Sequence, residues 1–187
     1  TLQVAEKSLQ TVSFDYNNLG SRTLGYHRPG LGVNFANLTG NGDNLQVRGL
    51  RSIADPGTTV ANLMYTIPVS NDGTRVGAMY SNSAFALGRE LQILDIRGDA
   101  NVYGLFVSHP LERSTDFNLD IQGGLTFSDI QSSLLGQQIS RDRLRTLNFG
   151  VTSDWGDEDG RNFASLRTTQ DLGTALGGLA ANDPFSS

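Results

Sequence analysis

The chain of 187 residues has no cysteine, a single lysine (Lys7) and no long apolar run. The absence of cysteine excludes disulfides, thiolate nucleophiles and cysteine-ligated metal sites. With 14 Lys and Arg against 19 Asp and Glu, the net charge is −5, which argues against a nucleic-acid binder that depends on phosphate neutralisation. No stretch approaches the roughly 18 apolar residues of a membrane-spanning helix, although strands can cross a membrane with a much weaker sequence signal.

Charged residues are scarce, whereas turn-forming residues are plentiful. Charged residues make up 18% of the chain against about 25% in a typical globular protein, and hydrophobic residues other than glycine make up 37%. Helix signals are confined to 1–9 and 87–95, each sufficient for a helical turn or two. Clusters of Gly, Asn and Asp, which tolerate positive φ or bond their own backbone, predict turns at 17–21, 39–44, 54–57, 70–73 and 157–160.

Between these turns, apolar and polar side chains alternate, which is typical of strands with two unlike faces. The clearest such segment runs from Asp116 to Ser128, and Leu119 is expected at mid-strand on its apolar side. Upstream of Pro29 the alternation slips by one residue, which predicts a bulge near that proline. The pattern predicts about nine strands, at 10–17, 23–36, 44–52, 60–69, 74–85, 100–109, 116–130, 143–155 and 162–172.

The connections between these strands differ in length. Those at 37–43, 70–73, 110–115 and 156–161 are predicted as short turns, and those at 18–22, 53–59, 86–99 and 131–142 as mostly longer loops. Short turns at one end and longer loops at the other are the layout of an outer-membrane β-barrel. The longer strands also suit a bilayer crossing, which takes about 9–11 residues, whereas globular strands average about 5–6. A soluble β-sandwich with the apolar side as its core remains the alternative.

The polar side of the strands is the best candidate for function. It is rich in small polar residues, and the chain has thirteen arginines for its one lysine. A crowded, wet lumen accommodates small polar groups and hydrogen-bonded arginines, whereas a soluble surface usually carries more Lys and Glu. The residues predicted to face the lumen, and so to line a substrate pathway, are Arg48, Asn118, Asp120, Gln122, Asn148 and Thr152.

Patterns for catalysis or metal binding are weak. His27 and His109 lie in separate strands without ligand spacing, and the run Asp154–Asp159 lacks the Gly and Glu positions of a calcium loop. There is no phosphate-binding GK[ST] motif, no G-x-S-x-G elbow and no paired-glutamate pattern, so we predict neither an enzyme nor a cofactor or metal site. The aromatic residues that could form girdles at the two membrane surfaces are Tyr16, Tyr26, Tyr65, Tyr80, Tyr103 and Trp155.

Four stretches, in order, resemble the outer-membrane transporters of two-partner secretion, the haemolysin secretion/activation protein family of the Omp85 superfamily. The first, SFDYNNLGSRTLGYHRPGLGVNFANLTGNGDNLQV (13–47), is similar to the start of that family's barrel, with its Gly-Asp turn one residue longer. The others are LMYTIPVSNDGTRVGAMYSNSAFALG (63–88), GLFVSHPLERSTDFNLDIQGGLTFSDIQ (104–131) and RLRTLNFGVTSDWGDEDGRNFASLRTTQDLG (143–173), similar to the family's Tyr-x-x-Pro turn, its Pro-Leu-x-Arg-Ser turn and its Leu-x-x-Gly-x-x-x-Asp strand.

The resemblance implies an all-β, antiparallel transmembrane barrel of which about nine of sixteen strands are present. Residues 1–9 would then be the tail of a periplasmic POTRA domain, and 10–187 the N-terminal part of the barrel. The implied function is export of a large exoprotein, of adhesin or haemolysin type, in unfolded form across the outer membrane of a Gram-negative-type bacterium. The implied partners are that exoprotein, outer-membrane lipid and lipopolysaccharide, with no nucleic acid and a monomeric full-length protein. A passive porin, a barrel-assembly relative and a soluble β-sandwich binding module are the alternatives.

Overall fold

The computed structural model describes residues 9–53, 56–157 and 160–179. They form one antiparallel sheet whose nine strands are ordered as in the sequence, each paired with the next. The strands are β1 (Gln10–Asn17), β2 (Arg28–Ala36), β3 (Asn44–Arg51), β4 (Thr58–Pro68), β5 (Arg75–Ala86), β6 (Arg97–Arg113), β7 (Phe117–Leu134), β8 (Gln137–Asp157) and β9 (Gly160–Asp171). The nine strands predicted from the alternating pattern are thereby confirmed.

The sheet is a single layer and has no hydrophobic core. Among the described residues no hydrophobic side chain is fully buried. The accessible surface is 12586 Å², whereas a compact monomer of this mass, 20.1 kDa, would expose about 8,700 Å². A β-sandwich would bury its apolar face under a second sheet about 10 Å away, and the described residues form only the one sheet. Another apolar medium must therefore cover that face.

Strand register gives the sheet two different faces. Residues directly opposite on neighbouring strands share a face, so each row of paired residues can be followed from strand to strand. One row runs through Val12, Val33, Val47, Leu63, Tyr80, Tyr103 and Phe127. The next row towards the chain's short turns includes Ala78, Leu105, Leu125 and Leu147. We call this side the apolar face, and the side that carries the alternate residues the polar face.

The apolar face has a sharp upper limit. On β7 its apolar residues run from Phe117 to Phe127, a length that matches the roughly 9–11 residues of a bilayer-crossing strand. The next residue on that face is Asp129, which lies opposite Asn101. Because β6, β7 and β8 continue past this limit, all three project above the apolar band on the side opposite the short turns.

Aromatic side chains lie at both ends of the band. At its upper edge the rings of Tyr80 and Tyr103 pack with their centroids 4.9 Å apart. The hydroxyl of Tyr80 donates to Asn101 Oδ1 at 2.9 Å, so its polar tip points away from the band. At the lower end Trp155 pairs with Phe117 beside the β8–β9 turn. Amphipathic rings at the two water interfaces are typical of transmembrane barrels.

Three local predictions were wrong. The predicted loop at 131–142 is instead a continuation of β7 and β8, joined by a tight turn at Leu135 and Gly136 with φ of 52° and 75°. Positive φ at both central residues matches a type I′ turn. The usual sequence signal for such a turn is Asn-Gly, whereas this turn has Leu-Gly. The predicted bulge near Pro29 is absent because β2 begins only at Arg28, so the slipped residues belong to the preceding loop.

The third error concerns Leu119, which lies near the lower end of β7 instead of at mid-strand, because β7 extends to Leu134. Within the described residues, helical structure is limited to 3₁₀ turns at Arg89–Leu94, within the segment predicted to form a helical turn or two, and at Ala175–Gly177. No helix in the described part of the chain is long and apolar enough to cross a membrane. The helix predicted at 1–9 falls almost wholly outside the described residues.

Candidate functional site: the polar face of the sheet

The six residues predicted to line a substrate pathway all lie on the polar face. Five of them are neighbours on two adjacent strands: Asn118, Asp120 and Gln122 on β7, with Asn148 and Thr152 on β8. Asp120 lies directly opposite Thr152, and Asn118 opposite Asp154. Arg48 lies on β3, on the same face but in a row that reaches β7 at Ser128. The structure therefore groups five of the predicted residues and separates the sixth.

Arg48 forms an ion pair that passes over an intervening strand. Its Nη2 lies 3.1 Å from Oδ1 of Asp15, and the two residues belong to β3 and β1. β2 lies between them, with Gly30 and Gly32 facing the polar side. A Cβ at Gly30 would come within 2.8 Å of the Asp15 carboxylate, so glycine is needed for this close approach. Sequence spacing gave no sign of this pair, because its members are 33 residues apart.

Neutral hydrogen bonds connect the middle of the polar face across three strands. Asn148 on β8 donates to Oγ1 of Thr126 on β7 at 2.9 Å, and its Oδ1 accepts from Thr169 on β9 at 3.0 Å. Further along the sheet, Ser81 on β5 donates to Oδ1 of Asn62 on β4 at 2.7 Å. These short side chains satisfy one another along the wall and present no group poised for chemistry.

Charged pairs lie at the lower end of β7 and β8. Arg113 contacts Asp120 at 2.7 Å, and Arg161 contacts Asp154 at 2.5 Å. The amide of Asn118 also donates to Asp154, at 3.3 Å. The arginine side chains are 59% and 68% exposed. Each pair is therefore open to water and contributes little to stability.

Part of the polar face is apolar, which the alternating pattern did not predict. On β5 and β6 the ring of Phe106 lies over Gly77, and Met79 lies over Gly104. A Cβ on Gly77 would come within 2.3 Å of that ring. The glycines form a shallow recess in the wall into which the larger side chains of the neighbouring strand fit.

Neither histidine lies in a metal site within the described part of the chain. Among the described residues, no group of three or more His, Asp or Glu is close enough to hold a metal ion. His109 Nδ1 lies 2.8 Å from Oγ1 of Thr74 in the β4–β5 turn. Hydrogen bonds from the hydroxyl and backbone N–H of Thr74 lower the pKa of Asp72 in that turn to about 2. In the acidic run Asp154–Asp159, Asp154 is paired with Arg161, and Glu158 and Asp159 lie outside the described residues.

A single antiparallel sheet with a lipid-length apolar band, aromatic residues at both of its edges and a hydrated polar face defines a segment of a transmembrane β-barrel. Solved structures of the same architecture are similar to it. CdiB from Escherichia coli superposes with a TM-score of 0.85 at 22% identity, over 96% of this chain and 34% of that protein. CdiB from Acinetobacter baumannii gives 0.69 at 18% identity, over 87% and 31%.

The sequence identifies the family. A profile of the haemolysin secretion/activation protein family ShlB/FhaC/HecB matches residues 1–184, and the chain belongs to that family. It is also 25% identical over 166 residues to the heme/hemopexin transporter protein HuxB of Haemophilus influenzae, covering 88% of this chain and 29% of that protein. The chain thus spans about a third of the length of these relatives. Its strands belong to a β-barrel of the Gram-negative outer membrane.

Proposed function

We propose that this chain is the N-terminal part of the barrel of a two-partner secretion transporter, which exports a large exoprotein in unfolded form across the outer membrane. Family membership supports this function, and the observation that carries it is the polar face with its short polar groups and exposed ion pairs. An extended chain moves more easily along many weak contacts than past one tight site. The pathway would include Arg48, Asn118, Asp120, Gln122, Asn148 and Thr152.

The exoprotein is the proposed partner, of adhesin or haemolysin type. The relative from Haemophilus influenzae is named a heme/hemopexin transporter, so an exoprotein that binds haem or haem carriers is a second possibility for the passenger. Passenger folding outside the cell would supply the driving force, without catalysis or a cofactor at the pore. We further propose that the full-length protein is monomeric, that POTRA domains precede the barrel, and that residues 1–9 end the last of them.

The test uses the full-length protein with its passenger and two substitutions at neighbouring positions. Asn148→Trp would place a bulky ring on the polar face, and Phe149→Trp would place the same ring on the apolar face. We expect Asn148→Trp to reduce the secreted passenger severalfold while the amount of folded barrel in the outer membrane stays unchanged. We expect Phe149→Trp to leave secretion as in the unmodified protein, because it exchanges one lipid-exposed aromatic for another.

Two outcomes would contradict the proposal. If the two substitutions reduced secretion equally, the polar face would not be the pathway. If no passenger were secreted by the unmodified protein, while small solutes crossed reconstituted membranes freely, a passive porin would be the better description. Barrel-assembly activity would instead appear as loss of other outer-membrane proteins when this gene is deleted.

A further inference from the structure

The apolar face continues above the membrane band as a polar surface. Two rows of the sheet lie there: Asn82, Asn101, Asp129 and Arg143 form the lower, and Thr59, Ala84, Asp99, Gln131 and Arg141 the upper. We call these two rows the upper patch. It follows directly on the row of Tyr80, Tyr103 and Phe127, so it lies just where the outer-leaflet headgroups begin.

Three polar groups of the upper patch are hydrogen-bonded to one another. Asn82 donates to Asp99 at 3.2 Å and to Asn101 at 3.1 Å, and Asn101 donates to Asp99 at 2.6 Å. Asp129 is paired at 2.8 Å with Arg145, whose side chain is only 9% exposed. Asp99 is therefore held by donors within the patch, and Asp129 by Arg145 of the row directly below it.

The two arginines of the patch differ from these groups in their hydrogen bonds and ion pairs. Among the residues that the structure describes, the side chains of Arg141 and Arg143 make no hydrogen bond, ion pair or ring contact, and Nε of Arg141 is buried without a partner. They lie two residues apart on the same face of β8, which places their Cα atoms about 6–7 Å from each other. Two forked guanidinium groups at this spacing can hold one phosphate between them.

An open groove of about 480 Å³ adjoins the upper row of the patch, and Arg97 and Asp99 are among its lining residues. Its walls carry short hydroxyl and amide side chains, among them Thr59, Gln131 and Gln138. Such groups suit the hydroxyls of a sugar. Two unpaired cations, a polar groove and a lipid-covered band directly below them together match one occupant, a phosphorylated glycolipid.

We infer that the upper patch binds the phosphorylated sugar headgroup of outer-leaflet lipopolysaccharide, with Arg141 and Arg143 on a phosphate and the acyl chains along the apolar band. This inference rests on the placement of the barrel in the outer membrane and is independent of what the pore exports. A bound headgroup would also fix the height of the long β6–β8 strands relative to the bilayer.

The test is a binding titration of the purified full-length protein in detergent. The ligands are bis-phosphorylated lipid A and the same lipid with both phosphates removed. We expect the double substitution Arg141→Gln/Arg143→Gln to weaken binding of the phosphorylated lipid by about tenfold or more, because each lost contact is a hydrogen bond between charged groups. Binding of the dephosphorylated lipid should not change. The variant Arg141→Lys/Arg143→Lys keeps the positive charges but loses the planar guanidinium groups. Its affinity for the phosphorylated lipid should lie between those of the unmodified protein and the double glutamine variant.

The control is Arg167→Gln on the polar face, which removes one positive charge from the opposite side of the sheet. It should leave lipid A binding within about twofold of the unmodified protein, a change well under the tenfold that one charged contact produces. Equal affinity of the double glutamine variant and the unmodified protein would overturn the inference, as would equal weakening by Arg167→Gln. If the unmodified protein bound phosphorylated lipid A but secreted no passenger, that result would count only against the proposed transport function.

Discussion

The two faces of this sheet are built from the same nine strands, but their charged side chains differ in exposure to water and in the number of hydrogen-bond partners. On the polar face, ion pairs such as Arg48–Asp15 are open to water, with side chains 61% and 36% exposed. On the apolar face, Arg145 is 8% exposed and reaches four partners: Asp129 and the backbone carbonyls of Ser128, Leu144 and Leu176. A charge bordering lipid is tolerated only when it is fully satisfied, whereas a charge in a wet lumen needs little support.

The largest expected effect is on the free energy of unfolding when an arginine is placed on one face or the other at the middle of the apolar band. In the full-length protein, Ile121→Arg should lower the free energy of unfolding by about 2–4 kcal/mol, because a charge would face the bilayer midplane. Gln122→Arg, one residue along and on the other face, should cost under about 1 kcal/mol. Urea unfolding from lipid vesicles measures both. Equal costs would mean that the face assignment is wrong.

A smaller loss of stability is expected when one ion pair on each face is broken. Arg145→Met should destabilise the full-length barrel by about 1.5–3 kcal/mol, because Asp129 and three carbonyls lose a charged donor. Arg48→Met should cost under about 1 kcal/mol, since its pair is exposed to water. The same urea titration, repeated at high salt, should reduce only the Arg48 effect. If the Arg48 variant were the less stable of the two, the contrast between the faces would fail.

The smallest effect concerns packing between strands. Gly77→Ala should destabilise by about 1 kcal/mol, at the lower end of overpacking costs, because Phe106 must swing off the new methyl group. Gly123→Ala is the control, since a Cβ there meets no atom within 4 Å and would point towards lipid. It should be neutral or slightly stabilising, because alanine reduces the entropy of the unfolded chain. Thermal unfolding of the two variants in one detergent gives the comparison.

Much of the fold could be predicted from local pattern. The alternation around Asp116–Ser128 predicted both the strand and its two faces, because a period of two fixes which side each residue takes. The six residues predicted for the polar face do lie there, though their role in export stays a proposal. The hairpin at Leu135–Gly136 was missed because its turn residues are not those that usually signal one.

Other features depended on register, which no local pattern contains. The contact of Arg48 with Asp15 requires that β1, β2 and β3 align so that two glycines lie between the partners. Likewise, the sequence around Arg141 and Arg143 resembles an ordinary polar segment. Only the pairing of β8 with β7 places these two residues on the apolar face, above Phe127. Pairs formed across strands depend on how far each strand slides against the next.

The sequence by itself determined the number of strands, their antiparallel order and the division into an apolar and a polar face, because these follow from a period of two and from turn chemistry. Only the tertiary structure decided where the apolar band ends and which arginines are paired. Both depend on rows that cross several strands, and a row is set by the cumulative register of hydrogen-bonded neighbours, to which residues far apart in the chain contribute together.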